Sequence, residues 1–185
     1  MASYGAIIGF CWLAFVLAWV IAGLAYRDTG RNYNTRGGSG LRNLLAVGIL
    51  VAIGYGQIVR FQPFGEYAAD FAAAGVALCV VGLVFAIWAR VALGSNWGMP
   101  MTEHESPELV TSGPYRLVRH PIYTGGSAMM IGTALVHPLA VLPCVFFVWY
   151  SVASALREER DMDQRFPTAY ADYRKRSKML VPFLF

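Results

Sequence analysis

The chain has 185 residues, 57% of them hydrophobic and only 14% charged, with a formal net charge of +4 and a pI near 9.1. A soluble domain carries about 25% charged residues, so this composition excludes an ordinary water-soluble globule and leaves room for one domain. The basic balance is not a nucleic-acid signature, because no stretch pairs a basic patch with a base-reading motif.

The charge deficit is concentrated in four gaps. No charged residue precedes Arg27, and none lies between Arg42 and Arg60, between Asp70 and Arg90, or between Arg119 and Arg157. A membrane span needs roughly 17–25 apolar residues. The first three gaps hold one span each, and the fourth, broken by His137-Pro138, holds two joined by a tight turn. The prediction is an all-α integral membrane protein with five transmembrane helices, at about 4–25, 43–60, 68–90, 121–136 and 139–157. The first is read as a retained span, since a positive n-region and a small-residue cleavage site are missing. In this arrangement every one of the 15 basic residues except Arg60 falls on one side. The positive-inside rule makes that side cytoplasmic, with the N-terminus outside, and the cell inner membrane is the expected location. Its juxtamembrane charge faces anionic lipid.

Between the first two spans, the run Gly37-Gly38-Ser39-Gly40 lacks a Walker lysine and reads as a connector. Gly75 and Gly82 in the third span are expected to allow close helix contact. Cys11, Cys79 and Cys144 all fall inside spans, which makes them packing residues rather than disulfides or ligands. Glu103-His104-Glu105 lacks metal-ligand spacing, and His104, His120 and His137 form no recognised set, so no metal is expected. A transporter would need broken or polar helices at mid-membrane, and the spans supply almost none.

The chemistry gathers in the second half. The segment from Gly94 to Tyr123 is a long loop holding Tyr115, Arg116, Arg119 and His120, and Pro121 biases His120 toward an extended backbone at the start of the fourth span. The fifth span runs on to Arg157-Glu158-Glu159-Arg160. After Phe166-Pro167 a short amphipathic helix is predicted at about 168–178, with Phe166, Tyr170 and Tyr173 on one face and charges on the other. It lies either on the membrane surface or folded over the end of the fifth span as a lid. Two adjacent acids at a helix C-terminus oppose the helix dipole. Because the turn at His137-Pro138 makes the last two spans antiparallel, the donors at His120–Tyr123 meet those acids.

The segments Leu93-Gly94-Ser95-Asn96-Trp97, Leu109-Val110-Thr111-Ser112-Gly113-Pro114-Tyr115-Arg116 and Arg119-His120-Pro121-Ile122-Tyr123-Thr124-Gly125, with Glu158-Glu159, Phe166, Tyr170, Tyr173 and Pro182, resemble the isoprenylcysteine carboxyl methyltransferase family. That family is itself similar to membrane phospholipid methyltransferases. The resemblance covers about residues 90–185 and divides the single domain into an anchoring part, 1–90, and a cofactor-binding and catalytic part, 91–185. It implies S-adenosyl-L-methionine as cofactor, a C-terminal helix closing its pocket, and an amphiphilic or lipidated acceptor reached from the bilayer, with a prenylcysteine-like carboxylate as the leading class. Tyr115, His120, Pro121, Tyr123, Gly125, Glu158 and Glu159 match its cofactor-binding positions, and Arg119 and Glu159 match positions that place the acceptor. Arg119, at the mouth of the hairpin, is expected to snorkel toward an acceptor head group. The acceptor, the choice of O-, N- or S-methylation and the division of labour within the acid pair stay open. A sterol-reductase-like oxidoreductase using NADPH carries a similar Arg-His-Pro run and is the alternative, although an acid pair suits a cation-bearing cofactor better than a polyanion.

Overall fold

The computed structural model describes residues 2–25, 69–94 and 109–182. The predicted span at 43–60, the glycine-rich connector and His104 lie outside the described residues. Within them the chain forms α1 (Ala2–Ala25), α2 (Ala69–Leu93), α3 (Pro121–Val136), α4 (Val141–Arg165) and α5 (Pro167–Arg176), with 3-10 turns at Gly113–Arg116 and Pro138–Ala140. Hydrocarbon offers backbone groups no water, so an apolar run there closes its hydrogen bonds within a helix. Asp70 in the first turn of α2 and Arg90 in the last complement the helix dipole. Pro121 and Pro167 open α3 and α5, where a missing N–H costs nothing.

Three stretches, Tyr4–Gly23, Asp70–Leu93 and Pro138–Arg165, are long and apolar enough to cross a membrane. Their outward faces carry Phe10, Leu13 and Ile21 on α1, Val81 and Val84 on α2, and Leu142, Phe146 and Trp149 on α4, all exposed. So much apolar surface does not face water, and the protein is an integral membrane protein. At 16 residues, α3 is about 24 Å long, shorter than a hydrocarbon core of about 30 Å.

The helices meet where their side chains are smallest. A Cβ added at Gly75 would lie 2.6 Å from the Gly132 carbonyl oxygen, and one added at Gly82 would lie 2.6 Å from that of Gly125. The backbones of α2 and α3 therefore touch, as small residues permit in lipid. α1 packs across both, burying Ile8 and Cys11 with Ala72, Cys79, Met129 and Val136. Trp12 Nε1 donates to Thr133 Oγ1 at 3.0 Å. Cys11, Cys79 and Cys144 are buried free thiols.

The C-terminal segment differs from the sequence reading. The tail helix is Pro167–Arg176 rather than 168–178, because residues 177–180 leave it to bond with 117–124. Phe166 sits at the break between α4 and α5 with φ −130° and is half-buried, whereas Tyr170 and Tyr173 are buried. The aromatic face of α5 therefore consists of the two tyrosines, and its charged residues remain exposed.

Candidate active site

The turn at His137–Ala140 returns α4 antiparallel to α3, so the start of α3 and the end of α4 share one edge of the bundle. A third strand of chain completes that edge. Arg119 N–H donates to Lys178 O at 2.8 Å, His120 N–H to Met179 O at 3.1 Å, and Lys178 N–H to Leu117 O at 3.4 Å. Val118 and Lys178 form an isolated parallel bridge. Thr124 Oγ1 donates to Leu180 O at 2.6 Å. Residues 177–180 thus form a strap along the Arg-His-Pro run, and α5 is folded back over the site. α5 reaches Tyr115 through the Tyr173 hydroxyl and Glu159 through Arg174.

The two acids occupy different environments. Glu159 is buried, and its Oε1 accepts from Arg119 Nε at 2.6 Å. Arg174 Nη2 approaches its other oxygen at 3.9 Å. Glu158 has a side chain 39% exposed, against 7% for Glu159. Its Oε1 accepts from the Tyr123 hydroxyl at 2.5 Å. His120 lies between them, with Nδ1 3.4 Å from Glu158 Oε2 and Nε2 3.5 Å from Glu159 Oε1. Both are charge contacts rather than well-aligned hydrogen bonds. Burial alone would lower the affinity of His120 for its proton, but the two carboxylates outweigh that and raise its pKa above the ordinary histidine value.

Arg119 does not reach out toward lipid, as the sequence suggested. Its side chain is 10% exposed, and while Nε serves Glu159, Nη1 donates to Ser177 O at 2.6 Å. An inward guanidinium gains two charge-assisted bonds that a snorkelling one would forgo. It ties α4 to the strap.

The 3-10 turn Gly113–Arg116 closes the site on the α2 side. It begins at Gly113 with φ +60°, a conformation that favours glycine. Tyr115 is buried, and its carbonyl accepts from the Tyr173 hydroxyl at 2.6 Å, latching α5 to the turn. Burial pushes the Tyr173 hydroxyl up to about 12, so it stays a donor. Of the sequence candidates, Arg119, His120, Tyr123, Glu158 and Glu159 converge, and Tyr115 lines the adjoining wall. Pro121 is buried at the first position of α3. Gly125 faces Gly82 and Ala86 instead, so its small size serves the α2–α3 contact. Ser177, Met179, Leu180 and Arg174 escaped the sequence reading. They act mostly through backbone atoms or an exposed charge, which leave no side-chain pattern to find.

The profile of the phospholipid methyltransferase family matches residues 71–169, more than half of the chain, and the chain belongs to that family. It is similar to protein-S-isoprenylcysteine O-methyltransferase B of Arabidopsis thaliana, 28% identical over 115 residues, covering 60% of this chain and 58% of that protein. It is also similar to the protein-S-isoprenylcysteine O-methyltransferase of Rattus norvegicus, 31% identical over 129 residues, covering 67% and 45%. The chain spans about half the length of these curated relatives. A solved structure of the eukaryotic intramembrane Ras methyltransferase ICMT (isoprenylcysteine carboxyl methyltransferase) shares its fold, with a TM-score of 0.63 at 20% identity over 98% of this chain and 66% of that one.

Proposed function

We propose that this member of the phospholipid methyltransferase family transfers a methyl group from S-adenosylmethionine to an ionised, lipophilic acceptor at the membrane–water boundary. The observation that carries this reading is the asymmetry of the acid pair. Glu159 is spent on Arg119 inside the protein, whereas Glu158 is partly exposed and oriented by Tyr123.

The donor set fits the cofactor. An exposed, oriented carboxylate suits an ammonium group, and the tyrosine faces suit a positive centre. A polyanion fits worse, since Arg119 and His120 already face carboxylates. When bound, S-adenosylmethionine supplies a methyl carbon activated by a positively charged sulfur. Glu158 would hold the amino-acid end of that molecule, with Tyr123 fixing the carboxylate rotamer and Arg119 with Glu159 fixing the helix end beneath them. Holding the partners in line is the main task in such a displacement. Neither acid stands free as a general base, because Glu159 already faces the Arg119 guanidinium and Glu158 is engaged by the Tyr123 hydroxyl. The acceptor must therefore arrive already deprotonated, with a free lone pair, as a carboxylate does and an ammonium or alcohol does not. The relatives are protein-S-isoprenylcysteine O-methyltransferases, which supports a prenylcysteine-like carboxylate.

In the full reading, five spans place the N-terminus outside and the site and C-terminus at the cytoplasmic face of the inner membrane. Residues 1–90 anchor and 91–185 bind and react. The placement of every basic residue but Arg60 supports this topology. The test is incubation of the detergent-solubilised protein with methyl-labelled S-adenosylmethionine and either N-acetyl-S-farnesylcysteine, phosphatidylethanolamine or an alkyl thiol. The expected product is a base-labile methyl ester on the farnesylcysteine alone. Label in the amine or thiol only would reassign the acceptor. No transfer to any of them, with NADPH bound tightly instead, would move the protein to the reductase class.

A further inference from the structure

The strap that holds the Arg-His-Pro run has an outer face that the site does not use. Leu117 and Val181 are 42% and 45% exposed there. Arg116 and Lys178 are exposed beside them. Lys178 N–H donates to Leu117 O and Lys178 bridges Val118, which sets Lys178 beside Leu117, with Arg116 next to Leu117 and Val181 three residues beyond Lys178 along the chain. Its depth is fixed by Thr124, one turn inside α3, which donates to Leu180 O. Val181 therefore sits level with the first turn of α3, whose body packs among the apolar spans. Among the described residues neither Arg116 nor Lys178 has an acidic partner, whereas Lys175 is held by Asp172 and Arg174 by Asp163. Aliphatic side chains beside unpaired basic groups at this depth match the two layers of a lipid surface, acyl chains below and anionic phosphates at the rim.

We infer that Arg116, Leu117, Lys178 and Val181 form a docking surface for anionic phospholipid, through which the bilayer holds the strap against the Arg-His-Pro run. Leu117 and Val181 enter the acyl boundary, and Arg116 and Lys178 grip headgroup phosphates. Because Arg119 Nη1 and the backbone N–H groups of Arg119 and His120 bond to the strap, a lipid that steadies the strap also steadies the site. Attraction of one basic residue to an anionic surface corresponds to about fivefold in a population ratio. Two such residues should make strap opening about tenfold rarer or more.

The test is hydrogen exchange of the amides of Lys178, Arg119 and His120 in the full chain, held in nanodiscs of phosphatidylcholine alone or with about one third phosphatidylglycerol. Exchange should slow by about tenfold in the anionic discs, and high salt should remove the gain, since exposed charges are screened beyond roughly a Debye length. Replacing both basic residues, Arg116→Gln with Lys178→Gln, should abolish the difference while leaving exchange in neutral discs unchanged. Arg116→Lys should keep it, because charge rather than fork geometry is at work. Equal exchange in neutral and anionic discs, or an anionic gain that survives the double replacement or high salt, would overturn the inference.

Discussion

The contact between α2 and α3 and the cluster at the start of α3 are built on opposite principles, although one helix serves both. Along its body α3 presents Gly125 and Gly132 to Gly82 and Gly75, and nothing polar holds the pairs together. At its start it presents Arg119, His120 and Tyr123 to two carboxylates and a strap of backbone carbonyls. In lipid there is little hydrophobic drive between helices, so backbone approach supplies the contact. At the boundary, burial makes each unpaired charge expensive, and the elements are held by pairing. A small change of volume should therefore break the first region, and a loss of charge the second.

The largest expected effect is on the charged side. Glu159→Ala leaves the Arg119 guanidinium buried without its carboxylate, which should cost about 3–5 kcal/mol and lower Tm sharply. Glu158→Ala removes a more exposed acid and should cost no more than about 1 kcal/mol. Equal losses in thermal unfolding would erase the distinction between the two acids. On the packing side, Gly82→Ala places a Cβ 2.6 Å from a carbonyl and 2.9 Å from the Met129 nitrogen. Overpacking of this kind should cost about 1–3 kcal/mol. Gly23→Ala meets nothing within 4 Å and should be neutral or slightly stabilising, since alanine favours a helix by up to about 1 kcal/mol.

A subtler probe is pH. The pKa of His120 is raised by its carboxylate neighbours, so its contribution to stability is fully present below the ordinary histidine value near 6.5 and fades as pH rises through the raised value. Tm of the unmodified protein should fall across that interval. His120→Asn should flatten the profile. A profile unchanged by the replacement would place the titrating group elsewhere.

How much of this the sequence revealed follows the same divide. Charge gaps delimit α1, α2 and α4 because desolvation forbids charge in a span, and the hairpin at His137-Pro138 brings His120–Tyr123 opposite Glu158-Glu159 by topology alone. Gly75 and Gly82 announce close packing without naming their partners. The unequal roles of the acids are invisible in sequence, since adjacent residues on a helix differ by about 100° in direction and only the neighbours decide which points inward. Arg119 reads as a residue reaching toward an acceptor head group for lack of any hint of Ser177 O. The strap itself pairs through backbone atoms, which every residue type possesses.

The most direct test of the central claim is calorimetric titration of the purified protein with S-adenosylhomocysteine and with NADPH, for the unmodified chain and for Glu158→Gln. The account predicts that S-adenosylhomocysteine binds and NADPH does not. Loss of one charge-assisted contact is worth about 1.5–3 kcal/mol, so Glu158→Gln should weaken binding by roughly tenfold or more, with Tm nearly unchanged. Binding of S-adenosylhomocysteine that ignores the replacement, or tight binding of NADPH in its place, would contradict it.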